Sequence, residues 1–120
     1  MFLHSELRQV AKLRRLHPNP IVQVHPETAK VLGIADGDWV FIETLRGRCK
    51  QRVKLYEGMD PRIIHIEHDW WFPEKPQGKP DFSGAFESNS NMLTPCKEPF
   101  LDPGFGGYNL RALLCKVYKV

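Results

Sequence analysis

The side chains best suited to chemistry in this chain are few and scattered. His65-x-x-His68-Asp69 groups two imidazoles and a carboxylate, all of them metal-ligand types. On a strand, however, residues three apart point to opposite faces, so the two histidines read as a structural pair rather than as joint ligands. Cys49, Cys96 and Cys115 are odd in number and widely spaced, with no C-x-x-C pair to hold zinc, an iron–sulfur cluster or a redox disulfide. Reduced, mostly buried thiols are expected, and neither Cys49 nor Cys115 has a base nearby in sequence to make it a nucleophile. Gly104-x-Gly106-Gly107 lacks the strand–helix setting of a nucleotide fingerprint and reads as turn chemistry. Arg46, Arg48, Lys50, Arg52 and Lys54 occupy every second position, which aligns them on one face of a strand with Cys49, Gln51, Val53 and Leu55 on the other. That stripe suits a solvated outer face or, alternatively, an anion- or partner-binding face. No aromatic interleaves it, so nucleic-acid binding is not expected.

The elements that must position these groups belong to one domain. At 120 residues, 42% hydrophobic and 26% charged, the chain has the make-up of a soluble protein large enough for a real core. No apolar run is long enough to span a bilayer, and residues 1–6 lack the features of an export signal, so a cytoplasmic chain is expected. Leu3, Leu7, Val10 and Leu13 recur at helical spacing and predict a helix over residues 5–16 capped by Ser5, ended by His17-Pro18-Asn19-Pro20. A strand at 21–24 follows. Pro26 at the first turn and Gly33 past the end predict a two-turn helix over 26–32. Period-two alternation on both sides of Arg46-Gly47 predicts an antiparallel hairpin of strands 39–44 and 48–55. Further strands are expected at 62–66 and 115–118.

Between the last two strands, residues 73–109 are rich in proline and glycine and fit no long helix or strand. Trp70, Trp71, Phe72, Phe82, Phe86, Phe100, Phe105 and Tyr108 supply enough apolar surface to argue against disorder. A loop of this length in a compact domain is usually functional, and this one is expected to fold over the sheet.

The string "HPNPIVQVHPETAKVLGIADGDWVFIETLRGR", then "EHDWWFPE", "NSNMLT" and "LRALLCKVYKV", resembles the C-terminal dinucleotide-binding domain of the molybdopterin oxidoreductase (dimethyl sulfoxide reductase) superfamily, nearly end to end and in order. The paired tryptophans and the closing segment are most similar to the branch that contains acetylene hydratase and the thiosulfate and polysulfide reductases. The resemblance implies a mainly β fold, a double-psi β-barrel with short helices and a long covering loop. It also implies binding of one molybdopterin guanine dinucleotide of a bis-dinucleotide cofactor, whose molybdenum or tungsten is held together with other domains. On that analogy His4 and Ser5 match the loop beside the pterin, Trp70 and Trp71 a middle loop, and Asn91, Leu93 and Thr94 an N-x-L-T loop. Tyr108, Asn109 and Lys116 are further cofactor candidates. These types suit the task, because pterin and guanine edges need fixed donors and acceptors and pyrophosphate needs N–H groups or a cation.

The departures are informative too. The family opens this domain with a strand and a T-G-R motif ahead of the His-Ser pair, which residues 1–3 do not supply; His25 stands where the family has Asn or a similar helix cap; and "DPGFGG" differs from D-P-x-S-G. The resemblance therefore implies a partial cofactor site, an edge open to self-association, and partners in the remaining domains or subunits of a molybdopterin enzyme. No catalytic residue and no metal ligand is expected in this chain, which alone should not catalyse. The alternative reading is a non-catalytic double-psi barrel that serves as a protein-interaction module.

Overall fold

A computed structural model of the chain describes residues 2, 4–107 and 111–120. Its frame is one five-stranded sheet of β1 (Ile21–Val24), β2 (Trp39–Glu43), β3 (Arg48–Leu55), β4 (Ile64–Ile66) and β5 (Lys116–Lys119), in the order β4-β1-β3-β2-β5. Only β1 and β3 run parallel; the other neighbours are antiparallel. The helices are short: α1 (Ala11–Leu16), α2 (Pro26–Leu32) and α3 (Ala85–Ser88), with 3₁₀ turns at Phe82–Gly84 and Ser90–Met92.

The hairpin follows the expected period. Phe41 faces Lys50 and Ile42 faces Cys49 across the β2–β3 ladder, and Thr44 N–H closes the turn onto the Gly47 carbonyl at 2.9 Å. Alternation sends Val40, Ile42, Cys49, Gln51 and Val53 inward. With Val22, Val24, Ala29, Ile34 and Leu93 they make the core. The opposite row is a decorated surface: Arg48 lies over Phe41, Lys50 pairs with Glu87 at 2.8 Å, and Arg52 donates to the Gly37 carbonyl at 2.9 Å. Three of its five cations, Arg48, Lys50 and Arg52, are thus occupied within the chain.

The helix predicted over 26–32 is α2, closed by Gly33 in the left-handed conformation at φ 66°. His25 caps its start, Nδ1 accepting the Glu27 N–H at 3.2 Å, so imidazole replaces the usual cap oxygen.

Several expectations need correction. The helix over 5–16 is only α1, because residues 4–9 form turns with His4 and Leu7 at positive φ; Ser5 caps nothing, and Val10 precedes the helix without a side-chain cap. Leu7 and Val10 are exposed, and the residue this segment buries is Arg8. The strand expected over 62–66 starts at Ile64, after a turn in which Ile63 N–H bonds to the Asp60 carbonyl. Cys96 and Cys115 are exposed, leaving Cys49 as the one buried thiol, which burial pushes up to about 12. The sheet is not closed among the described residues, since β4 and β5 each have one neighbour. Phe82, Phe86, Phe100 and Phe105 are exposed, so burial of the long loop rests on Trp70, Phe72 and Leu93. Among the described residues no helix is long and apolar enough to cross a membrane.

Candidate functional site

Three segments far apart in sequence meet at Asp69. Its Oδ1 accepts from the Asn91 amide at 3.2 Å, and its Oδ2 faces His68 Nδ1 at 2.9 Å and His4 Nδ1 at 3.5 Å. Beside it, Trp71 Nε1 donates to the Ser5 carbonyl at 2.6 Å. The N-terminal turn, the Trp70–Trp71 loop and the N-x-L-T loop are therefore joined by hydrogen bonds and ion pairs.

Each loop is positioned by the sheet beneath it. Gln51, fully buried on β3, donates to the carbonyls of Glu67 at 2.6 Å and Ser88 at 3.2 Å, and accepts the Glu67 N–H at 3.1 Å. One side chain thus fixes the exit of β4 toward Trp70 and the end of α3 before Asn89. The N-x-L-T loop is built from its own residues: Asn89 Oδ1 accepts the Asn91 N–H at 2.9 Å, and Thr94 Oγ1 donates to the Asn91 carbonyl at 3.1 Å. Leu93 sits in the core, and Thr44 at the hairpin tip donates to its carbonyl at 2.9 Å. Gly47 is the necessary residue at that tip, because a Cβ there would stand 2.7 Å from the Met92 carbonyl oxygen. The hairpin is thereby the platform for Asn91.

Trp70 is the buried centre of the second loop. Phe2, His17 and Phe72 meet it edge-on, while the guanidinium groups of Arg8 and Arg14 lie 4.7 and 5.0 Å from its ring. Arg8 is buried and donates to the carbonyls of His4 at 2.6 Å and His68 at 3.3 Å. Burial lowers its pKa, opposed by the charges of Glu67 and Asp69. Around this ring Arg8 Nε, Arg14 Nε and Nη1, and Trp70 Nε1 are buried donors with no partner among the described residues. Buried donors normally find acceptors, so these mark a place where an acceptor-rich group would be favoured.

The expected residues separate accordingly. His4, Ser5, Trp70, Trp71, Asn91, Leu93 and Thr94 lie in the joined loops, with Trp70 and Leu93 buried and Asn91 exposed. Lys116 lies elsewhere, on β5 opposite Glu43, beside a cleft of about 440 Å³ lined also by Thr28, Leu32 and Ile64. Tyr108 and Asn109 fall outside the described residues. The opposed-face argument for His65 and His68 does not apply, because β4 ends at Ile66 and His68 turns to His4 and Asp69. Sequence reasoning set Asp69 aside with the His65–His68 pair and missed Arg8 and Arg14, whose long-range contacts with His68 and Glu74 each span 60 residues.

The sequence profile of the family described as "Molydopterin dinucleotide binding domain" matches residues 1–111. The chain belongs to this family. It is the molybdopterin dinucleotide-binding domain of the molybdopterin oxidoreductases, whose cofactor is molybdopterin guanine dinucleotide with molybdenum or tungsten. The domain is 38% identical over 120 residues to a dopamine dehydroxylase of Eggerthella lenta, covering 99% of this chain and 11% of that protein. It is 40% identical over 111 residues to an acetylene hydratase of Syntrophotalea acetylenica, covering 89% of this chain and 15% of that protein. The solved acetylene hydratase from Pelobacter acetylenicus superposes with a TM-score of 0.93 at 37% identity, over 98% of this chain and 16% of that one. The domain thus spans 11–16% of the length of these proteins. Its residues suit the cofactor, because the partnerless donors around Trp70 and the Asn91 amide complement a polyanionic, acceptor-rich dinucleotide.

Proposed function

We propose that the domain forms one wall of the site for a bis-dinucleotide cofactor, the metal and the other walls coming from the remaining domains of a molybdopterin oxidoreductase. The observation that carries this reading is the convergence of the three expected loops on Asp69. When bound, the cofactor would supply two-electron chemistry at its molybdenum or tungsten. The domain's own part is to bind and orient. Asn91, Ser5 and Thr94 offer donors and acceptors to ring edges, and Trp71 and His4 offer flat faces. Leu93 anchors its loop, and Trp70 holds the two arginines near the phosphates. Tyr108, Asn109 and Lys116 are secondary contacts in this reading, Lys116 reaching the cofactor only from the β5 edge.

A double-psi β-barrel is the finer description of the fold in this reading. It is supported by Ile64 of β4 and Val117 of β5, which line one cleft although the two strands sit at opposite ends of the sheet order. Among the described residues β4 and β5 each pair with one strand only, and an edge of that kind favours assembly with other domains or self-association. Because the metal and the other walls of the cofactor site come from other domains in this reading, the isolated domain would not catalyse.

The test is Asn91→Ala in the assembled enzyme. Loss of one hydrogen bond to the cofactor costs about 1–3 kcal/mol, so cofactor affinity falls by about fivefold to about 100-fold while the circular dichroism of the protein is kept. Unchanged cofactor content would remove Asn91 from the site.

A further inference from the structure

The geometry points to a binding site for a divalent transition-metal ion of the zinc type at His4, His68 and Asp69, a site that shares His4 with the proposed dinucleotide contacts but does not need the dinucleotide to form. One ligand atom from each residue lies within 4.8 Å of the others. Ligands about 2.1 Å from a tetrahedral ion stand about 3.4 Å apart. The measured separations, 2.9 Å from His68 Nδ1 to Asp69 Oδ2 and 3.5 Å from His4 Nδ1 to the same oxygen, bracket that edge. The imidazoles cross at 82° with centroids 4.9 Å apart, so they do not stack and each can turn a nitrogen to a shared point.

Three further observations separate this group from a chance cluster of surface charge. Asn91 holds Asp69 Oδ1 at 3.2 Å, which orients the carboxylate and leaves Oδ2 toward the histidines, as outer hydrogen bonds do at metal centres. Arg8, itself buried, clamps the carbonyls of both His4 and His68, so the two ligand-bearing backbones are tied to one guanidinium. His4 and Asp69 also adopt left-handed φ of 50° and 56°, a cost that non-glycine residues bear mainly where the surroundings impose it. Two neutral imidazoles and one carboxylate give a ligand set of charge −1, and both histidines are exposed, leaving the remaining position to water. Nitrogen-rich ligation favours zinc, cobalt or nickel over magnesium or calcium.

The experiment is titration of the full 120-residue chain with CoCl2, followed by visible d–d absorption and calorimetry. One equivalent should bind, ZnCl2 should displace it, and a large excess of MgCl2 should not. His68→Ala and Asp69→Asn should each weaken binding at least tenfold with unchanged circular dichroism. His65→Ala, an exposed histidine on β4, should change it less than twofold. Absence of saturable binding would overturn the assignment. So would equal affinity in His68→Ala and Asp69→Asn, or the intense near-ultraviolet band of cobalt–thiolate ligation by Cys96 or Cys115.

Discussion

The Asn91 amide donates to Asp69 Oδ1 at 3.2 Å, across 22 residues of sequence, and fixes the N-x-L-T loop against the loop that carries Trp70 and Trp71. The other oxygen of the same carboxylate faces His4 and His68, so one residue sets the spacing of three segments. The site is therefore only as rigid as the supports under these loops, and those supports can be tested one at a time.

Gln51 is the first. Gln51→Leu keeps the inward-facing volume but strands the carbonyls of Glu67 and Ser88, while the Glu67 N–H keeps its second acceptor, the Ile21 carbonyl at 3.1 Å. Leaving buried polar groups without partners costs about 1–3 kcal/mol each, and part of that is regained as the loops relax toward water. Urea denaturation should show the midpoint falling by an amount equivalent to about 2 kcal/mol or more. A variant as stable as the parent would show that Gln51 does not clamp the loops.

Gly47 links the hairpin to the site. Gly47→Ala places a methyl group 2.7 Å from the Met92 carbonyl oxygen, a contact between backbones that neither side can easily yield. The expected cost is about 1–3 kcal/mol, with Asn91 displaced from Asp69. Amide chemical shifts should change at residues 90–94 as well as at the turn. Changes confined to residues 45–49 would mean that the tip is free of the loop.

Glu87 gives a pH dependence. Burial pushes its carboxyl up, but hydrogen bonds and charge from Lys50 and Lys75 outweigh that and hold it below its ordinary value of 4.5. A carboxyl depressed in the folded state stabilises the fold fully above its ordinary value, and that contribution is lost as pH falls through the folded value. Stability attributable to Glu87 should therefore be constant near neutrality and decline below about pH 4.5. Glu87→Gln should flatten that part of the acid limb in a series of urea titrations. An identical slope in both proteins would remove the carboxylate from the account.

Local pattern made much of the fold legible in advance. The hairpin was readable because period-two alternation and Arg46-Gly47 agree, and α2 because Pro26 and Gly33 mark its two ends. The N-x-L-T loop and the paired tryptophans were readable as motifs. The N-terminal helix was not, because helical spacing of leucines is a local signal and burial of Arg8 against Trp70 is a tertiary one that overrides it. Asp69 was visible beside His68, but its place at the centre of the site was not, because two of its partners, His4 and Asn91, lie 65 residues before and 22 residues after it. Exposure of Phe82 and Phe86 could not be foreseen from composition, which counts aromatic surface without saying where it goes.

The position of the cofactor in an electron-density or cryo-electron-microscopy map of an enzyme that contains this domain would decide where the dinucleotide sits. An ordered guanine dinucleotide is expected with atoms within about 4 Å of Ser5, Trp71 and Asn91, on the face organised by Asp69. A dinucleotide held instead only along the β5 edge near Lys116, or one making no contact with these three loops, would contradict this placement.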